Sequence, residues 1–116
     1  MADGDWQIFQ LDELLGSFSD KPVEYHEFLR VPTLNCGLYR LQAGARDEQI
    51  PHDEDEVYYV LEGKGRLRTE DGERDIQPGS VLYIRADSIH SFVEINEDLT
   101  LLVFFASTPQ LSIDSQ

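Results

Sequence analysis

Short apolar runs separated by turn residues occupy almost the whole chain after Val23, and they constrain its fold more than any other feature. The runs are rich in residues that favour strands; they read EYHEFLRV, CGLYRLQAG, EVYYVLEG, GRLRTE, RDIQ, SVLYIRA, IHSFVEI and LTLLVFFA. Asp71-Gly72 suits a two-residue hairpin turn, and Pro78-Gly79 suits a type II turn. Strands this short and this evenly interrupted predict an all-β sandwich or barrel.

The residues before the first strand are predicted to form an extension with one short helix. In LDELLGSF, Leu11, Leu14 and Leu15 share one helical face, and Gly16 can end the turn. A chain of 116 residues fits a single domain. The C-terminal STPQLSIDSQ has little to pack against and is predicted to be a tail. The resulting division is 1–22 for the extension, 23–107 for the β-barrel domain and 108–116 for the tail.

The charge balance of this acidic protein argues against two classes of partner. Its 9 basic and 23 acidic side chains give a formal charge of −14, and such a surface repels phosphate backbones and anionic lipids. No run approaches the ~20 apolar residues of a membrane span, and MADGDWQIFQ lacks the pattern of a secretory signal. We therefore expect no nucleic acid and no membrane partner.

The single cysteine bears on the compartment. Cys36 has no second cysteine with which to form an internal disulfide, which fits a reducing, cytoplasmic location. Its neighbours Asn35 and Gly37 offer nothing that would lower the pKa of a thiol. Cys36 is therefore interpreted as a packing residue rather than a catalytic one.

Two of the runs, VYYVL and LLVFF, are apolar on both faces. Successive side chains of a strand point to opposite sides of the sheet, so both sides of these strands must be covered. A second sheet covers one side. The N-terminal helix or a second copy of the chain covers the other, and we expect a homodimer because self-association is the commoner arrangement in a domain this small.

The chain has three histidines, and two of them suggest a metal site. His52 and Glu56 flank the start of a strand, and His90 begins the run HSFVEI. Inside a barrel, imidazole nitrogens and a carboxylate can hold a divalent ion at roughly 2.0–2.2 Å. The competing interpretation is that the stretch is only an acidic turn before a strand, and spacing alone favours it. In both interpretations Asp53, Glu54 and Asp55 are predicted to be turn residues that face water. His26 is interpreted as a surface or strand-edge residue.

The segment GARDEQIPHDEDEVYYVLEG resembles the first motif of the cupins, a superfamily of small β-barrels. That motif reads glycine, five residues, His-x-His, three or four residues, glutamate, six residues, glycine. Gly44 and Gly63 match its two glycines, and His52 and Glu56 match its second histidine and its glutamate. Ile50 stands where the first histidine is expected.

The segment PGSVLYIRADSIHSF is similar to the second cupin motif, which reads glycine, five residues, proline, x, glycine, two residues, histidine. Gly79 and His90 match its first glycine and its histidine, whereas Arg85 and Asp87 replace the proline and the second glycine. The resemblance covers roughly residues 37–105. It implies a cupin-type jelly-roll barrel, or double-stranded β-helix, with one short N-terminal helix.

The resemblance also implies a divalent metal ion, iron, manganese, nickel or zinc, held by His52, Glu56 and His90. Three ligands plus water are sufficient for a catalytic metal. Gln49 is a further candidate ligand because it lies next to Ile50, which occupies the place of a missing histidine. The alternative is that Ile50 leaves the site weak or lost.

The function expected from the resemblance is that of a metal-dependent enzyme acting on a small molecule, of dioxygenase, isomerase or lyase type. The alternative is a non-catalytic cupin that binds or senses a small molecule. Tyr58 lies on the same strand face as Glu56 and is a candidate to transfer a proton, or else an ordinary core aromatic. Arg40 and Arg85 are candidates to bind a substrate carboxylate, or else exposed or paired with acidic side chains.

Overall fold

Six antiparallel strands and one short helix make up the part of the chain that the structure, a computed structural model, describes: residues 5–47 and 51–106. The elements are α1 (Leu11–Leu15), β1 (Val23–Val31), β2 (Leu34–Leu41), β3 (Asp55–Thr69), β4 (Gly72–Ile76), β5 (Val81–Ile84) and β6 (His90–Ala106). The all-β class with one short N-terminal helix is therefore confirmed. The tail at 108–116 lies outside the described residues. No helix in the described ranges is long and apolar enough to cross a membrane.

The strands follow the order β1-β2-β6-β3-β4, and β5 pairs with β3. The long strands β3 and β6 run side by side over almost their whole length. The first part of β3 also pairs with β5, from Glu56 opposite Ile84 to Tyr59 opposite Val81, and its last part pairs with β4. This arrangement brings side chains from β2 to β6 into one apolar core, which includes Val60, Leu99 and Leu101, all fully buried.

Two of the expected breaks between strands are absent. EVYYVLEG and GRLRTE form the single strand β3, and IHSFVEI and LTLLVFFA form the single strand β6. Gly63, with φ +94°, lies in β3 where the pairing with β6 shifts register between Val60 and Arg66. A glycine at positive φ allows such a bulge without ending the strand, so the expectation of separate strands was wrong there.

One turn was predicted correctly and one was shifted. Gly79 has φ +94° and the Ser80 N–H donates to the Gln77 carbonyl at 2.9 Å, which confirms the turn at Pro78-Gly79. The hairpin between β3 and β4 pairs Thr69 with Gly72, so its two turn residues are 70 and 71 rather than Asp71 and Gly72. Gly72 instead opens β4 at φ +133°.

The outer face of β3 and β5 is apolar and exposed in the single chain. Val57 and Tyr59 point away from the core, and they pair with Tyr83 and Val81 of β5. Among the described residues nothing covers this face, because Val81 and Tyr83 are 67 % and 63 % exposed. Homodimerisation through a face of this kind stays a prediction.

The N-terminal extension packs instead on the outer side of β1 and β2. Phe9 meets Phe28 with ring centroids 4.9 Å apart, and the Arg40 guanidinium lies 4.8 Å from the centre of the Phe18 ring. Cys36 of β2 is buried as well, although it does not belong to the apolar core cluster. Burial raises the pKa of its thiol, in line with a packing role.

A charged contact fixes the junction between the extension and β1. The Ser19 N–H donates to Glu24 Oε1 at 2.9 Å, and His26 Nε2 lies 3.0 Å from Glu24 Oε2. The hydrogen bond with His26 and those from Ser19 lower the pKa of Glu24, against the opposing effect of burial. His26 is thus half-buried and hydrogen-bonded to Glu24 on the edge strand β1, which agrees with the expected position on a surface or strand edge.

We expect this junction to loosen in acid. Because the pKa of Glu24 lies below its ordinary value of 4.5 in the folded state, its stabilising effect is present above pH 4.5 and is lost as the pH falls through the folded-state pKa. The protection factor of the Ser19 amide against hydrogen exchange should therefore fall in acid, and Glu24→Gln should show the lower protection already at pH 7. Glu13→Gln, which changes an exposed carboxylate, is the control and should leave the Ser19 amide as protected as in the wild-type protein. Wild-type protection of this amide in Glu24→Gln would contradict the prediction.

Candidate functional site

A cavity of about 400 Å³ opens into the barrel between β1, β2, β3 and β6. Its described walls include the aromatic rings of Tyr25, Tyr39, Tyr58 and Phe105. Strand alternation explains this, because Tyr25 pairs with Tyr39 across β1 and β2, and both side chains point to the core side of the sheet. Cavities that bind small molecules are commonly of this size and this aromatic character.

The buried end of the cavity contains a hydrogen-bonded group of three side chains. The Tyr58 hydroxyl donates to Glu56 Oε1 at 2.6 Å. His90 Nε2 lies 3.3 Å from the Tyr58 hydroxyl oxygen and 3.5 Å from Glu56 Oε1. Glu56 and Tyr58 are 2 % exposed and His90 is 4 % exposed. Of the three, Tyr58 lines the cavity, so its hydroxyl joins the buried carboxylate and imidazole to the space that a ligand would occupy.

The imidazole of His90 has a defined orientation. Its Nδ1 lies 3.1 Å from the Ser88 carbonyl oxygen, and a carbonyl can only accept, so Nδ1 carries the proton. Burial by itself would lower the pKa of His90, but the hydrogen bond with Glu56, the Ser88 carbonyl and the charges of Glu56 and Asp47 raise it above its ordinary value. The surroundings of His90 therefore favour its protonated form.

A second buried carboxylate supports the wall of the cavity. The Tyr39 hydroxyl donates to Asp47 Oδ1 at 2.5 Å, and the Phe92 N–H donates to Asp47 Oδ2 at 2.7 Å. Burial and the bond to Asp47 raise the pKa of Tyr39. The sequence interpretation missed Asp47. The available signal was that Asp47 lies inside the first motif, between Gly44 and position 50, where the first histidine is expected.

Charged residues surround the mouth of the cavity. Arg30 Nε and Nη2 donate to the two carboxylate oxygens of Glu27 at 2.9 and 2.8 Å. Glu54 is half-buried and lines the cavity. The expectation that Asp53 to Asp55 face water therefore holds for the two aspartates, which are exposed, and was wrong for Glu54. Asp55 also caps the neighbouring loop, because its Oδ1 accepts from the Ala86 N–H at 2.8 Å.

The predicted metal ligands are placed unequally. Glu56 and His90 come together, whereas His52 lies in the cavity wall with its ring 5.3 Å from that of Phe105. Gln49 and the neighbouring Ile50 lie outside the described residues. Within residues 5–47 and 51–106, no three histidine, cysteine, aspartate or glutamate side chains form a group that could hold an ion. The described donors therefore do not by themselves fit a metal, and the ligand set stays a prediction.

The two candidate arginines lie away from Tyr58. Arg40 is on the outer side of β2, where its Nε donates to Thr100 Oγ1 at 3.2 Å beside the Phe18 ring. Arg85 lines a separate cavity of about 590 Å³ near the β3–β4 hairpin. Neither lines the cavity that contains Tyr58, so the structure gives no support to their role in binding a carboxylate there.

Comparison with known proteins identifies the family. Residues 37–105 match the cupin domain family. The chain is also 40 % identical over 100 residues to an uncharacterised protein of Streptomyces coelicolor, a match that covers 86 % of this chain and 95 % of that protein. The chain belongs to the cupin family, as the two sequence motifs predicted.

Solved structures confirm the barrel. The protein TT1209 from Thermus thermophilus superposes with a TM-score of 0.75 at 24 % identity, over 90 % of this chain and all of that one. The DMSP lyase DddQ from Ruegeria pomeroyi superposes with a TM-score of 0.69 at 16 % identity, over 82 % of this chain and 54 % of that one. At these identities the likeness shows the fold, a cupin-type β-barrel.

Proposed function

We propose that this cupin is an enzyme of lyase or isomerase type that binds a small molecule in the barrel cavity and transfers a proton through Tyr58. One observation carries the proposal: the Tyr58 hydroxyl lines the cavity and is hydrogen-bonded to buried Glu56, with His90 beside it. An aromatic residue that only packs does not need a carboxylate and an imidazole buried next to its hydroxyl. Burying a carboxylate and an imidazole costs free energy unless they are hydrogen-bonded. Titratable groups in such surroundings are concentrated at functional sites.

The contacts suggest how the proton moves. Glu56 accepts the Tyr58 hydroxyl hydrogen at 2.6 Å, so the tyrosine oxygen can take a proton from a ligand carbon while its own proton passes to Glu56. The reverse transfer returns the proton to a different ligand atom, or to a leaving group. The transfer leaves the Glu56–Tyr58 pair neutral and the negative charge on the ligand, and His90, with its Nε2 3.3 Å from the Tyr58 oxygen, lies near enough to stabilise that charge. Elimination and isomerisation both begin with such a step.

The family and the fold are compatible with this chemistry. One cupin structure with the same barrel is a lyase, so the architecture can carry an elimination reaction; a shared fold does not name the substrate. Binding of iron, manganese, nickel or zinc by His52, Glu56, His90 and Gln49 stays part of the proposal to be tested. The steps above are written for the side chains of Tyr58, Glu56 and His90 alone.

The test is deuterium exchange at the ligand. Small carbonyl, carboxylate and onium compounds with an acidic C–H are incubated with the protein in D₂O and followed by NMR. We expect at least one bound compound to exchange its C–H, about 10²- to 10⁴-fold more slowly with Tyr58→Phe, and with an unchanged dissociation constant. The control is Tyr59→Phe, which changes the neighbouring, outward-facing tyrosine.

Two results would contradict the proposal. Absence of exchange for every compound of the panel in the wild-type protein would favour the non-catalytic binding cupin. Equal exchange by Tyr58→Phe would remove Tyr58 from the reaction. The metal content of the same samples is measured, and the double variant His52→Ala/His90→Ala serves as the control. Loss of both the ion and the exchange activity in that variant would show that the reaction depends on a metal.

A further inference from the structure

We propose that the cavity selects small organic cations, with an onium or protonated amine group seated among the aromatic rings beside Glu27 and Glu54. The inference rests on the proposed function in one respect, that this cavity is where the substrate binds. It adds the chemical class of that substrate. Three features of the described walls support it: the arrangement of the rings, the balance of charge and the size of the space.

The rings meet at steep angles and form an aromatic enclosure. The Tyr25 ring lies 6.4 Å from that of Tyr39 at an interplanar angle of 65°, and 6.2 Å from that of Phe105 at 77°. His52 continues the wall, 5.3 Å from Phe105 at 61°. Rings set at steep angles can enclose a common space, and aromatic cages of this kind attract quaternary ammonium and similar cations.

The position of Tyr25 in this wall depends on a glycine. A Cβ on Gly37 would overlap the Tyr25 ring, including its Cζ and hydroxyl atoms. The β2 strand therefore presents bare backbone where the ring of Tyr25 lies, and the ring can fold inward over the sheet. Gly37 has no positive φ, so space for this ring, rather than backbone conformation, is what the glycine provides.

The charged groups at the mouth favour a cation over an anion. Among the described residues that line the cavity, Glu27 and Glu54 provide two carboxylates against the single guanidinium of Arg30. Both oxygens of Glu27 accept from Arg30, so these two charges offset each other and the three side chains together keep a net charge of −1. Burial raises the pKa of Tyr25 to about 12, and the charges of Glu27 and Glu54 add to this increase against the opposing charge of Arg30.

The size and the overall charge agree with the same class of ligand. About 400 Å³ accommodates a small onium compound but not a macromolecule. The formal charge of −14 on the chain raises the local concentration of cations and repels anionic metabolites. Tyr58 then lies at the buried end of the cavity, within the same enclosure as the cationic group.

The test compares two probes of the same shape, choline and its neutral isostere 3,3-dimethyl-1-butanol, by calorimetric or NMR titration of the full chain at fixed ionic strength. We expect choline to bind at least about tenfold more tightly than the alcohol. Tyr25→Leu and Glu54→Gln should each weaken choline about three- to tenfold and change the alcohol little. Tyr83→Leu, an exposed tyrosine of the outer face, is the matched control and should change neither.

Gly37→Ala gives a second, independent variant. Its added Cβ displaces the Tyr25 ring without removing any charge, so it should weaken choline in the same range as Tyr25→Leu. Circular dichroism and the melting temperature show that each variant is folded. Because four variants are compared, loss of one to misfolding does not decide the result.

Equal binding of the two probes, tighter binding of the alcohol, or no choline binding at about 10 mM would overturn the inference. Choline binding without C–H exchange of any cation would leave the inference standing and contradict the proposed proton transfer. If the protein catalyses exchange of a neutral or anionic compound but does not bind choline, the proposed proton transfer is supported and the inference about cations is contradicted. The failures of the two proposals are therefore distinguishable.

Discussion

Gly63→Ala is expected to leave the chain largely unfolded at ordinary temperature. Gly63 has φ +94°, a conformation that costs an L residue roughly 1–2 kcal/mol. Its added Cβ would also overlap the Asp98 carbonyl and lie 2.6 Å from the Leu99 Cα. These are backbone atoms of β6, and Leu99 is fully buried, so the neighbours cannot move aside without disturbing the pairing of the two longest strands.

Urea and thermal unfolding measure this effect, and Gly44→Ala is the matched control. Gly44 has φ +81° but nothing within 4 Å of an added Cβ, so it isolates the cost of the dihedral angle at about 1–2 kcal/mol. Gly63→Ala should lose about 4 kcal/mol or more, a large part of the ~5–15 kcal/mol that stabilises a small domain. Similar losses in the two variants would show that the contact with β6 does not matter.

Gly63 also shows how far the sequence pattern reaches. The spacing of the first motif predicted a required glycine at this position, and the structure confirms that no side chain fits there. The pattern placed it at the end of a strand, however, whereas β3 continues through it to Thr69. Local sequence marks a glycine with positive φ equally well in a turn and in a bulge, and only the partner strand decides between them.

The candidate site was predicted in part for a similar reason. The two-residue period of a strand correctly placed Glu56 and Tyr58 on the same buried face. The second motif placed His90, but His90 pairs with Thr69 at the other end of β3, so its contact with Glu56 does not follow from the register of β3 and β6. His52 precedes the strand, where no periodicity fixes the direction of a side chain, and it lies in the cavity wall rather than beside Glu56 and His90.

The residues at the cavity mouth could not be found from local spacing at all. Tyr25 and Glu27 belong to β1, outside both motifs, and they reach the cavity because β1 pairs with β2 and β2 pairs with β6. Glu54 appears in the sequence as one of four consecutive acids, and nothing in that run distinguishes the one that turns inward. Contacts between distant segments carry the missing information.

Asp47→Ala is expected to lower the free energy of unfolding by about 2–5 kcal/mol. Asp47 is buried and accepts hydrogen bonds from the Tyr39 hydroxyl and the Phe92 N–H. Its removal leaves both donors buried without this acceptor, and each such group costs about 1–3 kcal/mol. Asp47→Asn should lose much less, because its amide oxygen can accept from the Phe92 N–H while its amide nitrogen donates to the Tyr39 oxygen.

Chemical unfolding of the two variants beside Tyr39→Phe separates the two bonds. Tyr39→Phe removes the hydroxyl and keeps the Phe92 bond, so its loss should fall between those of Asp47→Asn and Asp47→Ala. The ring centroids of Tyr39 and Tyr25 lie 6.4 Å apart in the cavity wall. Because Asp47 holds the Tyr39 hydroxyl, Asp47→Ala should also weaken choline binding at temperatures where the variant remains folded. Equal stabilities of Asp47→Ala and Asp47→Asn would mean that other atoms satisfy the two donors, and that the wall of the cavity does not depend on Asp47.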